Sequence, residues 1–183
     1  LMPAILAGAN PRIVNLSSAG HTHSDVNLDD PNFEKSEYNA WESYGRSKSA
    51  NIHFTQEIVR RYGDRIQSFA VHPGVIMTEL GRHLTPELMN EMTERVKSRA
   101  TSSSEAKETG ALPFKSVEAG AATQVWASVT ENLSENNGAY LGDCQVGVEG
   151  GNPSESGYLP YIFNRDTAEA LWSLSEKLVK QEF

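Results

Sequence analysis

Two short apolar runs, Arg12 to Ser17 and Ile66 to Val71, stand far apart with a helix-length pattern between them. That spacing constrains the fold more than any other feature. Strands alternating with helices argue for a parallel α/β sheet, because parallel neighbours need a crossover and a hairpin turn cannot supply one. The Ile-Val-x-Leu content of the first run suits a buried strand. Between the runs, Ile52, Thr55, Val59 and Tyr62 recur at helical spacing, and Gly63-Asp64 ends the pattern. A helix is therefore expected over Tyr44 to Tyr62, after a polar connection from His21 to Ser43 that is longer than most loops and so a candidate for function.

The rest of the chain continues the alternation. Leu1 to Ala9 reads as the tail of a helix ended by Gly8 and Asn10-Pro11. Thr85-Pro86-Glu87 supplies a cap and a first-turn proline, with Leu88, Met89, Met92 and Val96 on one apolar face. Ala100 to Gly110, rich in Ser, Thr and Glu, is expected to be a loop. Ser116 opens a helix that runs to about Val129, and Gly138 to Leu141 reads as a short strand. Gly142 to Gly157 is glycine-rich and expected to be irregular. Asp166-x-x-Glu169 resembles a capping box ahead of a Leu171, Leu174 and Leu178 stripe.

With 183 residues, 38% of them hydrophobic, the chain fits one domain, 1–183. A formal charge of -8 argues against nucleic acid and anionic membrane surfaces as partners. No apolar run approaches a membrane span, and no basic region precedes an apolar stretch at the N-terminus. The single Cys144 excludes an internal disulfide, and a cytoplasmic location is expected. The sequons Asn15-Leu16-Ser17 and Asn132-Leu133-Ser134 mean little without secretion. A chain that opens inside an element, with Leu1 before Met2, reads as a fragment or a shortened gene model.

The chemistry centres on Tyr44-Gly45-Arg46-Ser47-Lys48. Residues four apart share a helix face, so the lysine ammonium can lie near the phenol. A tyrosine with a free pKa of about 10 must drop by roughly three units to trade protons near neutrality, and an adjacent cation acts in that direction. A surface Tyr and Lys sharing a face by chance is the alternative. The first apolar run ends in Ser17-Ser18, and the second continues into His72-Pro73-Gly74-Val75-Ile76-Met77-Thr78. A serine pair can simply cap a turn, and Pro-Gly can simply make one. His21 and His23 lack the Cys or carboxylate company of a metal site. His72 reads as a packed strand-end residue, and Trp126 and Trp172 as core.

A strand ending in Ser-Ser, a helix opening with Tyr-x-x-x-Lys and a strand ending in Pro-Gly-x-x-x-Thr form a specific ordered set. It resembles the short-chain dehydrogenase/reductase family, most closely its retinol-dehydrogenase-like and WW-domain-oxidoreductase-like branch. Trp41-Glu42-Ser43-Tyr44, Asn51-Ile52-His53-Phe54-Thr55 and Leu171-Trp172-Ser173-Leu174-Ser175 extend the match over nearly the whole chain. The resemblance implies the C-terminal portion of a Rossmann-type doubly wound sheet, its last three strands with flanking helices. It implies Ser18, rather than Ser17, as the residue that bonds the substrate oxygen. Tyr44 would be general acid or base. Lys48 would tune Tyr44 and hold the nicotinamide ribose, and Pro73, Gly74 and Thr78 would meet the carboxamide of NADP or NAD.

The family's glycine-rich turn, its Asn-Ala-Gly strand end and a catalytic Asn are absent from this sequence. At about 30 residues per β-α-β unit, on the order of a hundred residues have no counterpart. Three readings stay open. The chain is the catalytic part of an NAD(P)-dependent alcohol/carbonyl oxidoreductase. Or it is a cofactor-independent enzyme using Ser18, Tyr44 and Lys48 for proton chemistry, as an isomerase, lyase or cyclase. Or it is a pairing module, possible as a homo-oligomer through the exposed edge of its first strand. The expected substrate is a small carbonyl or alcohol. Retinoid, steroid, lipid aldehyde and polyketide carbonyls all suit this branch, with specificity carried by a variable loop over about 81–112.

Overall fold

A computed structural model describes residues 1–100 and 114–182. Its elements are α1 (Met2–Leu6), β1 (Arg12–Leu16), α2 (Ala40–Tyr62), β2 (Gln67–His72), α3 (Pro86–Ala100), α4 (Val117–Val129), β3 (Tyr140–Gly142), β4 (Gln145–Val146), β5 (Val148–Glu149), β6 (Gly157–Tyr158) and α5 (Arg165–Val179). The main sheet has the order β1-β2-β3-β4. The first three strands are parallel, in register Val14↔Phe69 and Ala70↔Tyr140. This is the expected partial Rossmann-type arrangement, with one addition: β4 pairs antiparallel with β3.

Side-chain alternation along the strands builds two cores. On one face Phe69, Val71 and Leu141 pack with Ala127 of α4 and with Leu133. On the other, Ala70 and Tyr140 pack with Ile52 of α2 and Ile162. Ile58, Ile66 and Trp172 extend that layer beneath α5. A truncation such as Phe69→Ala should cost roughly 3–5 kcal/mol.

β1 is the sheet's edge among the described residues. Gln67 N donates to the Pro11 carbonyl and Ser17 N to the Val71 carbonyl, so the odd-numbered residues of β1 face β2. Arg12, Val14 and Leu16 consequently turn their backbone groups outward. One of these, the Leu16 carbonyl, accepts from Asn51 Nδ2 at 2.8 Å.

Several expectations need correction. α2 starts at Ala40, a full turn before Tyr44, because Asn39 Oδ1 accepts from Glu42 N at 2.9 Å and caps it there. The last helix is capped by Asn164, which accepts from Thr167 N, and not by Asp166. Of its expected leucine stripe, Leu178 is exposed; Ala168 and Trp172 are the buried positions. The Gly142 to Gly157 stretch contains β4, β5 and β6. Asp143 and Cys144, both at positive φ (49° and 55°), make the two-residue turn between β3 and β4. Ala100, expected in a loop, ends α3; the rest of that loop to Gly110, the part of the 81–112 region beyond α3 and the Val96 side chain lie outside the described residues.

The connection from Ser24 to Asn39 is tied down by polar contacts. The buried Asp30 carboxylate accepts from the N–H groups of Glu34, Lys35 and Ser36 and from the Ser36 hydroxyl. Arg46 of α2 donates to the Asp30 carbonyl at 2.7 Å and lies 3.9 Å from the centre of the Phe33 ring. Among the described residues no helix is long and apolar enough to cross a membrane, and no three His, Cys, Asp or Glu side chains group as a metal site.

Candidate active site

At the end of β1 the two serines separate in role. Ser17 is buried, and its hydroxyl donates to the Lys48 carbonyl at 2.9 Å, binding β1 to α2. Ser18 caps the single helical turn Ala19–His23, its Oγ accepting from Gly20 N at 3.0 Å. That bond uses a lone pair and leaves the Ser18 O–H proton available, so capping and substrate contact are compatible. The buried His21 holds this turn in place. Its Nδ1–H donates to the Ser18 carbonyl at 2.8 Å and its Nε2 accepts from Leu159 N at 3.4 Å, while its carbonyl accepts from the Tyr161 phenol.

Tyr44 and Lys48 sit one turn apart on α2, as their spacing requires. The Tyr44 ring is 36% exposed and lies against Gly20: a Cβ on that glycine would fall 2.4 Å from Tyr44 Cε1 and 3.4 Å from Ser18 Oγ. Gly20 is thus the one residue type that lets the tyrosine and Ser18 border the same space. Lys48 Nζ lies 5.3 Å from the Tyr44 ring centre. Burial lowers the Lys48 pKa, since desolvation disfavours its ammonium form.

The end of β2 closes the third side. His72 is buried, and its Nδ1 accepts from Ala19 N at 3.2 Å and Gly74 N at 3.4 Å. It therefore joins the Ser-Ser end of β1 to the Pro-Gly end of β2, the packed role its position suggested. Gly74 adopts φ +92°, a conformation that favours glycine. The Lys115 side chain covers it and pairs with Asp143. Lys115 N also donates to the Val75 carbonyl, so this turn is braced from outside the cavity. Thr78 caps the next helical turn through Oγ1, 3.3 Å from Leu80 N.

All six sequence-predicted residues, Ser18, Tyr44, Lys48, Pro73, Gly74 and Thr78, border one cavity of about 490 Å³ at the carboxyl ends of β1 and β2. That is where open α/β sheets bind ligands. Its remaining wall is largely apolar, with Trp41 from α2 and Leu84, Leu88 and Met92 from the α3 side. Gly20 and Trp41 were not singled out as site residues from the sequence. Trp41 lies three before Tyr44, so helical spacing alone could have placed it on the same face.

No family model matches the chain. Individual proteins do. "Oxidoreductase calI" of Penicillium decumbens is 37% identical over 100% of this chain and 53% of that protein. "Short-chain dehydrogenase/reductase prx1" of Penicillium roqueforti is 37% identical over 98% of this chain and 51% of its own length. "Retinol dehydrogenase 14" of Homo sapiens is 33% identical over 98% and 47%. An uncharacterised protein from Mycobacterium paratuberculosis has a crystal structure that superposes with a TM-score of 0.61 at 25% identity, covering 94% of this chain and 51% of that one. The chain spans about half the length of these relatives. On this identity over its whole length, with the fold in agreement, the chain belongs to the short-chain dehydrogenase/reductase family.

Proposed function

We propose that the chain is the catalytic and substrate-binding part of an NAD(P)-dependent oxidoreductase interconverting an alcohol and a carbonyl compound. One observation carries this reading: Ser18, Tyr44 and Lys48 share a single apolar-walled cavity with the Pro73-Gly74 turn and Thr78. The residues present fit the nicotinamide riboside end of a dinucleotide. The Pro73-Gly74 turn lines the cavity wall, Lys48 offers a half-buried cation and Thr78 a hydroxyl. The sequence holds no glycine-rich turn for the pyrophosphate, so the fit covers that end alone.

When bound, the nicotinamide supplies the hydride for reduction and accepts it in oxidation. Ser18 Oγ–H donates to the substrate oxygen and orients the carbonyl carbon. Tyr44 hands its phenol proton to that oxygen as it becomes an alkoxide, and takes the proton back in the reverse direction. Lys48, beside the ring, stabilises negative charge on the phenol oxygen as the proton leaves. The apolar wall of Leu84, Leu88 and Met92 excludes water and favours an apolar substrate.

Calorimetric and thermal-shift titration of the chain with NAD(H) and NADP(H) tests the reading. Ligand at a hundred times its dissociation constant should add about 2.7 kcal/mol of stability. Reduction of an apolar aldehyde should then fall by about 10²-fold or more in Tyr44→Phe. A folded chain that binds neither dinucleotide would favour the second reading, cofactor-independent acid/base catalysis by the same three residues.

A further inference from the structure

α3 has no fully buried side chain among its described residues, and Leu88 and Met92 on its inner face border the cavity. Polar contacts between α3 and the rest of the site gather around one aromatic ring. The Trp41 Nε1–H donates to Glu91 Oε2 at 2.5 Å. The Arg95 guanidinium lies 5.2 Å from the centre of the Trp41 ring, one helical turn beyond Glu91. The His23 ring also lies near the indole, with centroids 5.8 Å apart. Trp41 itself belongs to the first turn of α2, which Asn39 caps and which carries Tyr44 three residues later. One side chain thus touches the loop after β1, the reactive helix and the roof.

We propose that Trp41, Glu91 and Arg95 form a clasp that seats α3 over the cavity. Trp41 is then the positioning residue for the roof and the wall that limits the size of the carbonyl compound admitted. The proposal rests on the cavity being the reactive site. The bound compound is apolar at the end remote from its carbonyl, since Leu88 and Met92 complete their burial against it. The indole N–H to carboxylate bond is charge-assisted and fixes the ring plane, and the guanidinium adds cation–π attraction. Both contacts link α2 to α3, so losing either frees the roof without disturbing the sheet.

Hydrogen exchange of the full chain tests the clasp without any turnover. Trp41→Phe keeps an aromatic ring, smaller than the indole, and removes the N–H; Glu91→Ala removes the acceptor; Glu91→Gln keeps an acceptor. Backbone amides of α3 should exchange about ten-fold faster in Trp41→Phe and Glu91→Ala, with Glu91→Gln closer to the unmodified chain and α2 unchanged in all three. Unchanged α3 exchange in both Trp41→Phe and Glu91→Ala overturns the proposal. Glu91 is exposed, so its variants decide the matter even if Trp41→Phe fails to fold. With a series of apolar aldehydes of increasing bulk, Trp41→Ala should raise the relative kcat/KM of the bulkiest; an unchanged size order overturns the specificity role. If the unmodified chain reduces no aldehyde, the proposed function fails, while the exchange result still decides the clasp.

Discussion

Gly20→Ala is the sharpest probe of the site. The backbone at Gly20 does not use a left-handed φ, so an alanine is acceptable to the chain itself. What it meets is Tyr44: the new Cβ would lie 2.4 Å from Cε1 and 2.7 Å from Cδ1. Ordinary carbon contacts begin at about 3.5 Å, so the ring must retreat by about 1 Å. It has somewhere to go, because one side of Tyr44 faces the cavity. The stability cost should therefore stay at or below the roughly 1–3 kcal/mol typical of overpacking. Catalysis should suffer more, since a displacement of about 1 Å at a reacting group can cost about 10²-fold. The assay is aldehyde reduction with NAD(P)H beside a melting curve. An alanine variant with wild-type kcat/KM and an unshifted melting temperature would refute the reasoning, because the ring would then not rest on Gly20 in the working protein.

Other consequences follow from the same contacts. Lys48→Met should abolish most turnover yet leave the melting temperature equal or higher, because burial already penalises the Lys48 charge; a marked loss of stability would contradict this. The Ser36 hydroxyl lowers the Asp30 pKa most; burial opposes it, and the backbone N–H groups of Lys35, Glu34 and Ser36 together keep the pKa below the usual carboxylate value. A depressed carboxylate pKa adds stability above the unfolded value and loses it as pH falls through the folded one. Asp30→Asn should thus melt lower at neutral pH and converge with the wild type in acid; parallel curves would exclude the effect. If β1 pairs with a second copy of the chain, Val14→Pro should abolish the association in sedimentation while sparing the β1–β2 ladder, because the Val14 N–H points outward. A wild-type chain that sediments as a folded monomer removes that idea.

Where the candidate residues lie was legible in the sequence: helical spacing put Tyr44 and Lys48 on one face, and the ends of the apolar runs placed Ser18 and Gly74. Their roles came only from the resemblance to the family. Helix starts were less legible because Asn39 and Asn164 had stronger-looking neighbours. Asn39 followed three residues later by Glu42 is itself a start signal, but it lay inside a stretch whose Asp, Asn and Pro content suggested a loop. The strands β4 to β6 are two residues each and have no period to read; they exist because neighbouring backbone is already in place. Trp41 and Gly20 were hidden for another reason. Helical spacing from Tyr44 offered Trp41 as a neighbour, but its contact with α3, like the contact of Gly20 with Tyr44, joins distant parts of the chain and has no local pattern.

The order of strands also bears on how the chain acquires its structure. Val14 meets Phe69 only after the whole of α2 has been passed, and Ala70 meets Tyr140 only after everything from Val71 to Ala139. Each parallel pair must close a long loop before it returns any contact energy, so the chain should fold slowly for its size. α2 can form early from local signals, and the sheet must wait. Until β2 is flanked on both sides, its run of Ser68 to His72, fully buried in the finished protein, stands open to other chains. Expression at low temperature and low concentration should accordingly raise the soluble yield.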